Sequence, residues 1–404
     1  MAGLLLKIRK PDFTIIKTIV HNRIAGEVMR IVIIGAGPAG LYAAYLLRRA
    51  RPDIRIEIIE QNPPDATFGF GVVFSDQALA FLKEDDPETH DSIVPHMERW
   101  DDITINHAGE HITIDGIGFA AIGRLHLLQL LQARCASVGI EPYWRRRVED
   151  LSEFGDADLV LGADGLNSIV RQSDPAAFGE NLSELDNRFV WYGADREFDT
   201  LTQTFRRNAD GTFNAHHYRY APGFSTFIVE CDPKTFARAG FADMDETATR
   251  AYCEALFAPD LDGARLIANR SVWRRFPKLR CDRWFAGNRV LVGDALHTAH
   301  FSIGSGTRLA LEDVIALVRA LDGHDFDVAA ALPAWQAERQ PVLDKIVSAA
   351  NRSAEWYEQF PDHMALDAWP FAHAYIQRSG RISPERLQRL APAFAAELGK
   401  RGML

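Results

Sequence analysis

The spacing of apolar residues changes character several times along the chain. Residues 30–34 (RIVII) form a short run rich in β-branched side chains. GAGPAG and the helix-period stretch LYAAYLLRRA follow, which predicts a strand, a tight turn and a helix. IRIEIIE at 54–60 completes a βαβ unit with Glu60 at the tip of its second strand. Residues 61–122 are mixed: a Gly/Phe-rich loop at 68–74 expected to be mobile, an acidic turn near 83–88, and a hairpin-like ITINHAGEHITI at 103–114. From Arg124 the stretch RLHLLQLLQARCASVG predicts an amphipathic helix stopped by Gly139, before a strand pair around 140–161.

Between 187 and 231 the pattern becomes strands alternating with turns: FVWYGADREF, LTQTFRRN, Asp210-Gly211, TFNAHHYRY, a Pro-Gly turn and FSTFIVEC. That predicts an antiparallel sheet inserted into an α/β chain. NRVLVGDALH at 288–297 restores a buried strand, a long helix is expected over 307–321, and the remainder reads as mostly helical. No internal repeat is visible. The expected division is a leader at 1–28, a first nucleotide-binding part at 29–186, a β-sheet domain at 187–280, a return at 281–325 and a helical C-terminal region at 326–404.

Composition narrows the possibilities. A chain of 404 residues with 47% apolar and 25% charged residues should fold into two or three lobes. Its net charge of −10 offers polyanions no general attraction, so nucleic acid is not an expected partner. The four cysteines, Cys135, Cys231, Cys253 and Cys281, lie far apart without C-x-x-C spacing. No dithiol centre or bound metal is expected, and a reducing, cytoplasmic compartment suits them. No run approaches the ~18 apolar residues of a membrane span, and nothing reads as a signal peptide.

Three glycine-flanked turns carry the chemistry. In the first, Gly35-x-Gly37-x-x-Gly40, with Pro38 and Ala39 inside it, opens a helix after a strand. Its backbone can approach a pyrophosphate closely while the helix N-terminus faces the negative charge. Glu60, followed by Gln61, is placed to accept hydrogen bonds from an adenosine ribose. NAD dehydrogenases and FAD proteins share this much. The second turn, Asp164-Gly165, and the third, Gly293-Asp294, each follow an apolar strand and put a carboxylate where it meets ribityl or ribose hydroxyls.

Taken in this order and spacing, the three turns resemble the fingerprint of the FAD-dependent aromatic hydroxylases related to para-hydroxybenzoate hydroxylase. The resemblance covers residues 29 to about 325. It implies a Rossmann-like α/β FAD-binding domain with an inserted antiparallel β-sheet substrate domain and a helical C-terminus. By the same resemblance, Gly35, Gly37, Gly40 and Glu60 hold the ADP half of FAD, Arg124 contacts the cofactor, Asp164-Gly165 meets FAD and reduced nicotinamide, and Asp294 binds the ribityl chain. Phe70 and Gly71 in the loop before Arg124, and Gly304, Gly306 and Thr307 after the third turn, are further expected cofactor contacts. The family often has a proline pair after the third turn, where this chain has His300-Phe301. Residues 293–313, FGFGVVFSD at 68–76, AHHY at 215–218 and STFIVEC at 225–231 are similar to the monooxygenase half of salicylyl-CoA 5-hydroxylase and 2-aminobenzoyl-CoA monooxygenase. They also look like the tryptophan hydroxylase of violacein biosynthesis.

The implied reaction is reduction of FAD by NADH or NADPH, reaction with O₂ to a flavin C4a-hydroperoxide, and transfer of one oxygen to an electron-rich ring. The expected substrate is an aryl-CoA thioester; a free indole, tryptophan-like or aromatic acid, and a flavin-dependent reductase activity, are the alternatives. A halogenase is excluded because no two tryptophans stand two apart. Trp191, Tyr192, His216, Tyr218, Phe227 and Phe301 are candidate substrate contacts, although aromatic strand residues also serve as plain core. His300, seven residues after Gly293, is the candidate catalytic group, its neutral imidazole hydrogen-bonding a ring hydroxyl or amino group. Arg145-Arg146-Arg147, Arg206-Arg207 and Arg274-Arg275 are candidate phosphate contacts for CoA or solvated surface charge. A monomer or homodimer is expected.

Overall fold

The computed structural model describes residues 28–75 and 80–404. The expected leader, apart from Val28, lies outside them. A five-stranded sheet forms the base, in the order Phe285–Ala286, Arg289–Leu291, Leu159–Gly162, Arg30–Ile34, Arg55–Ile59. The last four strands are mutually parallel. Apart from the charged Arg30, Arg55, Glu57 and Arg289, their residues are apolar and nearly all buried because helices cover the sheet, which is why the strands read as apolar runs. Pro38–Ala50 is the crossover helix of the first βαβ unit, packed against Arg124–Ser137 and Gly306–Gly323.

The register decides where the motifs go. Ile34 pairs with both Gly162 and Ile59, and Gly162 with Leu291, so four neighbouring strands end at one level. Backbone bonds extend the ladder beyond them, from Gly35 N–H to Ile59 O, Ala163 N–H to Ile34 O and Val292 N–H to Gly162 O. A crevice at the carboxyl ends of parallel strands is where such folds bind ligands.

Above this base stands an eight-stranded sheet containing Glu180–Ala194, Leu201–Arg207, Thr212–Ala221, Phe224–Cys231 and Arg274–Cys281. Its far edge is the hairpin Ile103–His107 and Glu110–Ile114, which joins Leu201–Arg207 in parallel, with Ile103 opposite Leu201. The hairpin thus completes the inserted sheet, although its sequence lies within the stretch expected to bind nucleotide. A small sheet of Gly71–Ser75, Phe119–Gly123 and Glu98–Trp100 links the two. The C-terminal region is helical, dominated by Val328–Glu358.

Two local expectations fail for clear reasons. Of the strand pair expected around 140–161, only Leu159–Gly162 forms a strand. Tyr143 makes an isolated bridge to Ile59, since the polar segment that follows it has no apolar alternation to bury. The 68–74 loop, expected to be mobile, is tied down. Gly71–Ser75 is a strand, Gly71 N–H donates to Thr226 Oγ1 at 2.9 Å, Tyr218 OH donates to Gly71 O at 3.1 Å, and Asn269 Nδ2 donates to Thr67 O at 3.1 Å.

Candidate active site

The three turns meet at the carboxyl edge of the parallel sheet. Gly35 has φ +102°, and a side chain there would overlap the Ala163 carbonyl oxygen and approach Asp164 Cα, so first and second turns are in direct backbone contact. Gly40 lies so close to the Gly35 carbonyl that a methyl group would strike it. The Gly293 backbone packs on Ala39 and Ala310, which brings the third turn against the first. Glu60 spans the first turn from the neighbouring strand, accepting from Ala36 N–H at 2.9 Å and from the Asn62 N–H at 2.8 Å.

Arg171 locks the other two turns together. Buried to 1% exposure, it pairs with Glu180 at 2.6 Å and donates to Ala295 O at 2.7 Å and to Leu166 O. Behind the third turn, His297 Nε2 lies 2.6 Å from Asp313 Oδ2, and Arg339 Nε donates to Asp313 Oδ1 at 2.8 Å. Burial acts to raise the Asp313 pKa, but His297 and Arg339 outweigh it and hold the carboxylate below its usual range. His297 therefore anchors the turn to helix Gly306–Gly323.

These turns open on one cavity of about 790 Å³. At its base lie Gly35, Gly37, Pro38, Ala39, Glu60 and Gln61, then Asp164 and Gly165, then Gly293 and Asp294 with Gly304, Gly306 and Thr307; Gly71 and Arg124 flank them. Helices Pro38–Ala50 and Gly306–Gly323 begin here, and neither N-cap residue bonds its first turn through a side chain. Their leading N–H groups are free for an anion or a carbonyl oxygen. Asp164 Oδ2 accepts from Ile169 N–H at 2.7 Å, whereas Oδ1 is buried with no partner. Burial raises the pKa of Asp164 and of Asp294, and Arg124 and His297 pull Asp294 back toward the ionised form.

The opposite wall belongs to the eight-stranded sheet and, with Phe301 from the 301–303 turn, forms a chamber of Phe189, Trp191, His216, Tyr218, Ile228 and Phe276. Strand alternation selects these residues: His216 sits opposite Ile228, and Ile228 opposite Trp191, so their side chains share one face. Both ring nitrogens of His216 and the indole Nε1 of Trp191 are buried without partners. Burial, reinforced by Arg378, pushes the His216 pKa down to about 3, so its imidazole is neutral.

The structure does not bring every expected contact to the cavity. Tyr192 and Phe227 point to the other face of the sheet, into a core with Phe213, Phe257 and Cys253, because neighbours on a strand alternate. Phe70 packs on Gly193 and does not line the cavity, and Gly40 acts through the Gly35 carbonyl. His300 is also off the lining. Its Nδ1 accepts from Ser302 N–H at 3.4 Å, and its ring sits among Phe276, Phe301 and Tyr357. Burial lowers its pKa to about 3. The polar ring that reaches the chamber is His216. Arg146 and Arg147 border the Glu60 end, while Arg206 pairs with Asp260 and Arg275 with Asp186, away from the cavity. Arg171 closes the second motif in the sequence, where nothing local assigns it a role; its partners Glu180 and Ala295 emerge only from the fold.

The residues present fit FAD. A buried, unpartnered carboxylate oxygen on Asp164 suits a hydroxyl donor, the glycine backbone leaves room that side chains would fill, and free helix N-terminal N–H groups suit a pyrophosphate. Glu60 would hold the adenosine end, Asp164 and Asp294 the hydroxyl-bearing middle, and 304–307 the ring end.

Comparison with known proteins agrees. The FAD binding domain family model matches residues 132–350, spanning the second and third turns, and the Thi4 family model matches 14–113, spanning the first. Salicyloyl-CoA 5-hydroxylase of a Streptomyces species is 39% identical over 87% of this chain and 70% of its own length. The 3-hydroxy-4-methyl-anthranilyl-[aryl-carrier protein] 5-monooxygenase of Streptosporangium sibiricum is 37% identical over 83% and 90%. Protodeoxyviolaceinate monooxygenase of Chromobacterium violaceum is 34% identical over 88% and 96%. Among solved structures, the tetrameric form of 2-methyl-3-hydroxypyridine-5-carboxylic acid oxygenase superposes with a TM-score of 0.64 at 18% identity, covering 92% of this chain and 98% of that one. A quadruple mutant of P. aeruginosa PqsL gives 0.66 at 21% identity, covering 87% and 100%. A dinucleotide cradle built from three converging turns, an aromatic chamber facing it and these relatives place the chain in the FAD-dependent aromatic monooxygenases.

Proposed function

We propose that this monooxygenase hydroxylates the ring of an aryl thioester, with coenzyme A as the thiol carrier. One observation carries the reading: the wall formed by Phe189, Trp191, His216, Tyr218, Ile228, Phe276 and Phe301 has only neutral side chains, while the arginines of the same cavity, Arg124, Arg146 and Arg147, flank the cradle. A free aromatic carboxylate held against that wall would hydrogen-bond no cationic side chain of the wall itself, which makes its desolvation costly, whereas a thioester carbonyl is neutral. Relatives named for aryl-CoA and aryl-carrier substrates support the same choice.

Bound FAD supplies the electrons taken from NADH or NADPH and the oxygen transfer; the protein supplies placement and dryness. Trp191, Phe189, Tyr218 and Phe301 offer apolar faces that sandwich an aryl ring and keep water off it. Neutral His216 hydrogen-bonds a ring hydroxyl or amino group and takes its proton as the ring gains oxygen. His300 acts one layer back, holding the 301–303 turn that sets Phe301.

The test is a panel of aryl-CoA thioesters, the matching free acids, a carrier-protein thioester and free indoles, offered to the purified holoenzyme with NADH or NADPH and O₂. Thioesters should give hydroxylated product and free acids little or none. Equal turnover of the free acids would overturn the reading. The four buried, unpaired cysteines support a reducing, cytoplasmic location, and a monomer or homodimer is the proposed assembly, read by sedimentation.

A further inference from the structure

Next to the chamber, the same face of the eight-stranded sheet carries, beyond His216, polar side chains that the site above does not use. Gln203 sits opposite His216 across one strand pair, and Asn214 opposite Glu230 across another. Asn187 donates from Nδ2 to Glu230 Oε1 and to Tyr357 O, both at 2.8 Å, and Tyr357 OH donates to Gln203 Oε1 at 3.0 Å. All five of these side chains other than Tyr357, namely Asn187, Gln203, Asn214, His216 and Glu230, are at least 95% buried.

Each nevertheless keeps polar atoms without a partner: Asn187 Oδ1, Gln203 Nε2, Asn214 Oδ1, Glu230 Oε2 and both nitrogens of His216. One such atom typically costs ~1–3 kcal/mol, so a cluster on one sheet face is not idle packing. The set contains donors and acceptors together, which is what bridging water requires. At its far end, Glu358 accepts from the backbone N–H groups of Asp186 and Asn187 at 2.8 and 2.9 Å, and Asp186 is exposed. The cluster therefore runs from the chamber wall to the surface.

We propose that His216 and Glu230, with water held between them by the amides of Gln203, Asn214 and Asn187, form a proton relay between the substrate chamber and the solvent at Glu358. The inference rests on the aromatic hydroxylation established for the family. Overall, ArH, O₂, NAD(P)H and H⁺ give ArOH, NAD(P)⁺ and H₂O. When the new C–O bond is formed and the ring regains aromaticity, the ring C–H bond breaks and its electron pair returns to the ring. That C–H proton restores the ring hydroxyl or amino group, whose own proton has left through His216 as the C–O bond formed; His216 accepts at one nitrogen, gives up a proton from the other, and passes it along the relay. Glu230 serves as its acidic step, a carboxyl that donates through O–H and accepts at its other oxygen.

The surroundings of Glu230 suit that role. Burial, with Glu358 adding to it, pushes its pKa up to about 8 against the pull of Asn187. The other titratable groups around it are Tyr357 on the long helix and Cys231 on its own strand. Arg378 acts on Tyr357 and His216.

The experiment uses holoenzyme of the wild type, Glu230→Gln and Gln203→Leu, the last removing a donor at similar volume. FAD content and circular dichroism verify folding. Infrared titration reads the protonated carboxyl of Glu230 without substrate, and single-turnover hydroxylation is followed against pH in H₂O and D₂O. The carboxyl band should disappear as pH rises through about 8, and wild-type hydroxylation should fall with it. Glu230→Gln should lack both the band and that limb of the profile, with turnover slowed on the order of tenfold, below the ~100-fold of a directly positioned acid or base. Gln203→Leu should slow turnover and enlarge the solvent isotope effect while keeping the band. Unchanged profiles and isotope effects in both folded variants would overturn the relay. Failure of the thioester panel would leave the infrared titration intact, so the two proposals fail separately.

Discussion

At Gly40 a single methyl group separates a working cradle from a blocked one. Its Cβ would meet the Gly35 carbonyl oxygen, a backbone atom fixed by the sheet on one side and the helix on the other. Gly40→Ala is expected to purify with a small fraction of the wild-type flavin, read as flavin absorbance per mole of protein; a full complement would show that the turn has slack the structure denies it. The buried histidines make a separate prediction. His216, His217 and His300 are held neutral by burial, with pKa values far below the ordinary 6.5. The unfolded chain takes up their protons first, so their contribution is present above about pH 6.5 and drains away as pH falls below it. Urea unfolding of the apoprotein should show stability declining from pH 7 toward pH 5. His217→Phe, on the sheet face away from the cavity, should flatten that decline; an equally steep one would remove burial of His217 as a cause.

Among the elements, helix Gly306–Gly323 has the largest burden, since its first turn borders the cavity and Asp313 in its middle ties down His297 and Arg339. Asp313→Asn leaves Arg339 buried without its full counter-charge and is expected to cost ~3–5 kcal/mol in denaturant unfolding. A loss under 1 kcal/mol would mean the network is ornamental. This helix, the first βαβ unit and all three turns were legible in the chain because each is a local signal: a period, a glycine, an acid at fixed spacing. What escaped depends on distant partners. The 103–114 hairpin reads correctly as a hairpin, yet its attachment to Leu201–Arg207 is a pairing across about 100 residues that no local pattern encodes. Alternation shows that Trp191 and Tyr192 face opposite ways, but only the packing of Glu246–Leu256 on one side of the sheet settles which of them meets the cavity. His300 was placed by its distance from Gly293, whereas the 301–303 turn swings its ring behind Phe301.

For the molecule as a whole, the parallel sheet holds a cradle, the eight-stranded sheet closes over it with aromatic rings, and the polar face beside those rings leads outward. The arrangement gives an aromatic chamber with one neutral imidazole on its wall and, by the proposal above, a path for a proton, which is what ring hydroxylation asks of a protein once a flavin is in place. Among the described residues no helix is long and apolar enough to cross a membrane.

The most direct measurement is to load the purified chain with FAD, supply NAD(P)H, isotopically labelled O₂ and an aromatic substrate, and analyse the product by mass spectrometry. Stoichiometric flavin and one labelled oxygen atom on the aromatic ring are expected. A chain that refuses FAD, or a hydroxylated product whose oxygen comes from water, would rule out a flavin-dependent monooxygenase.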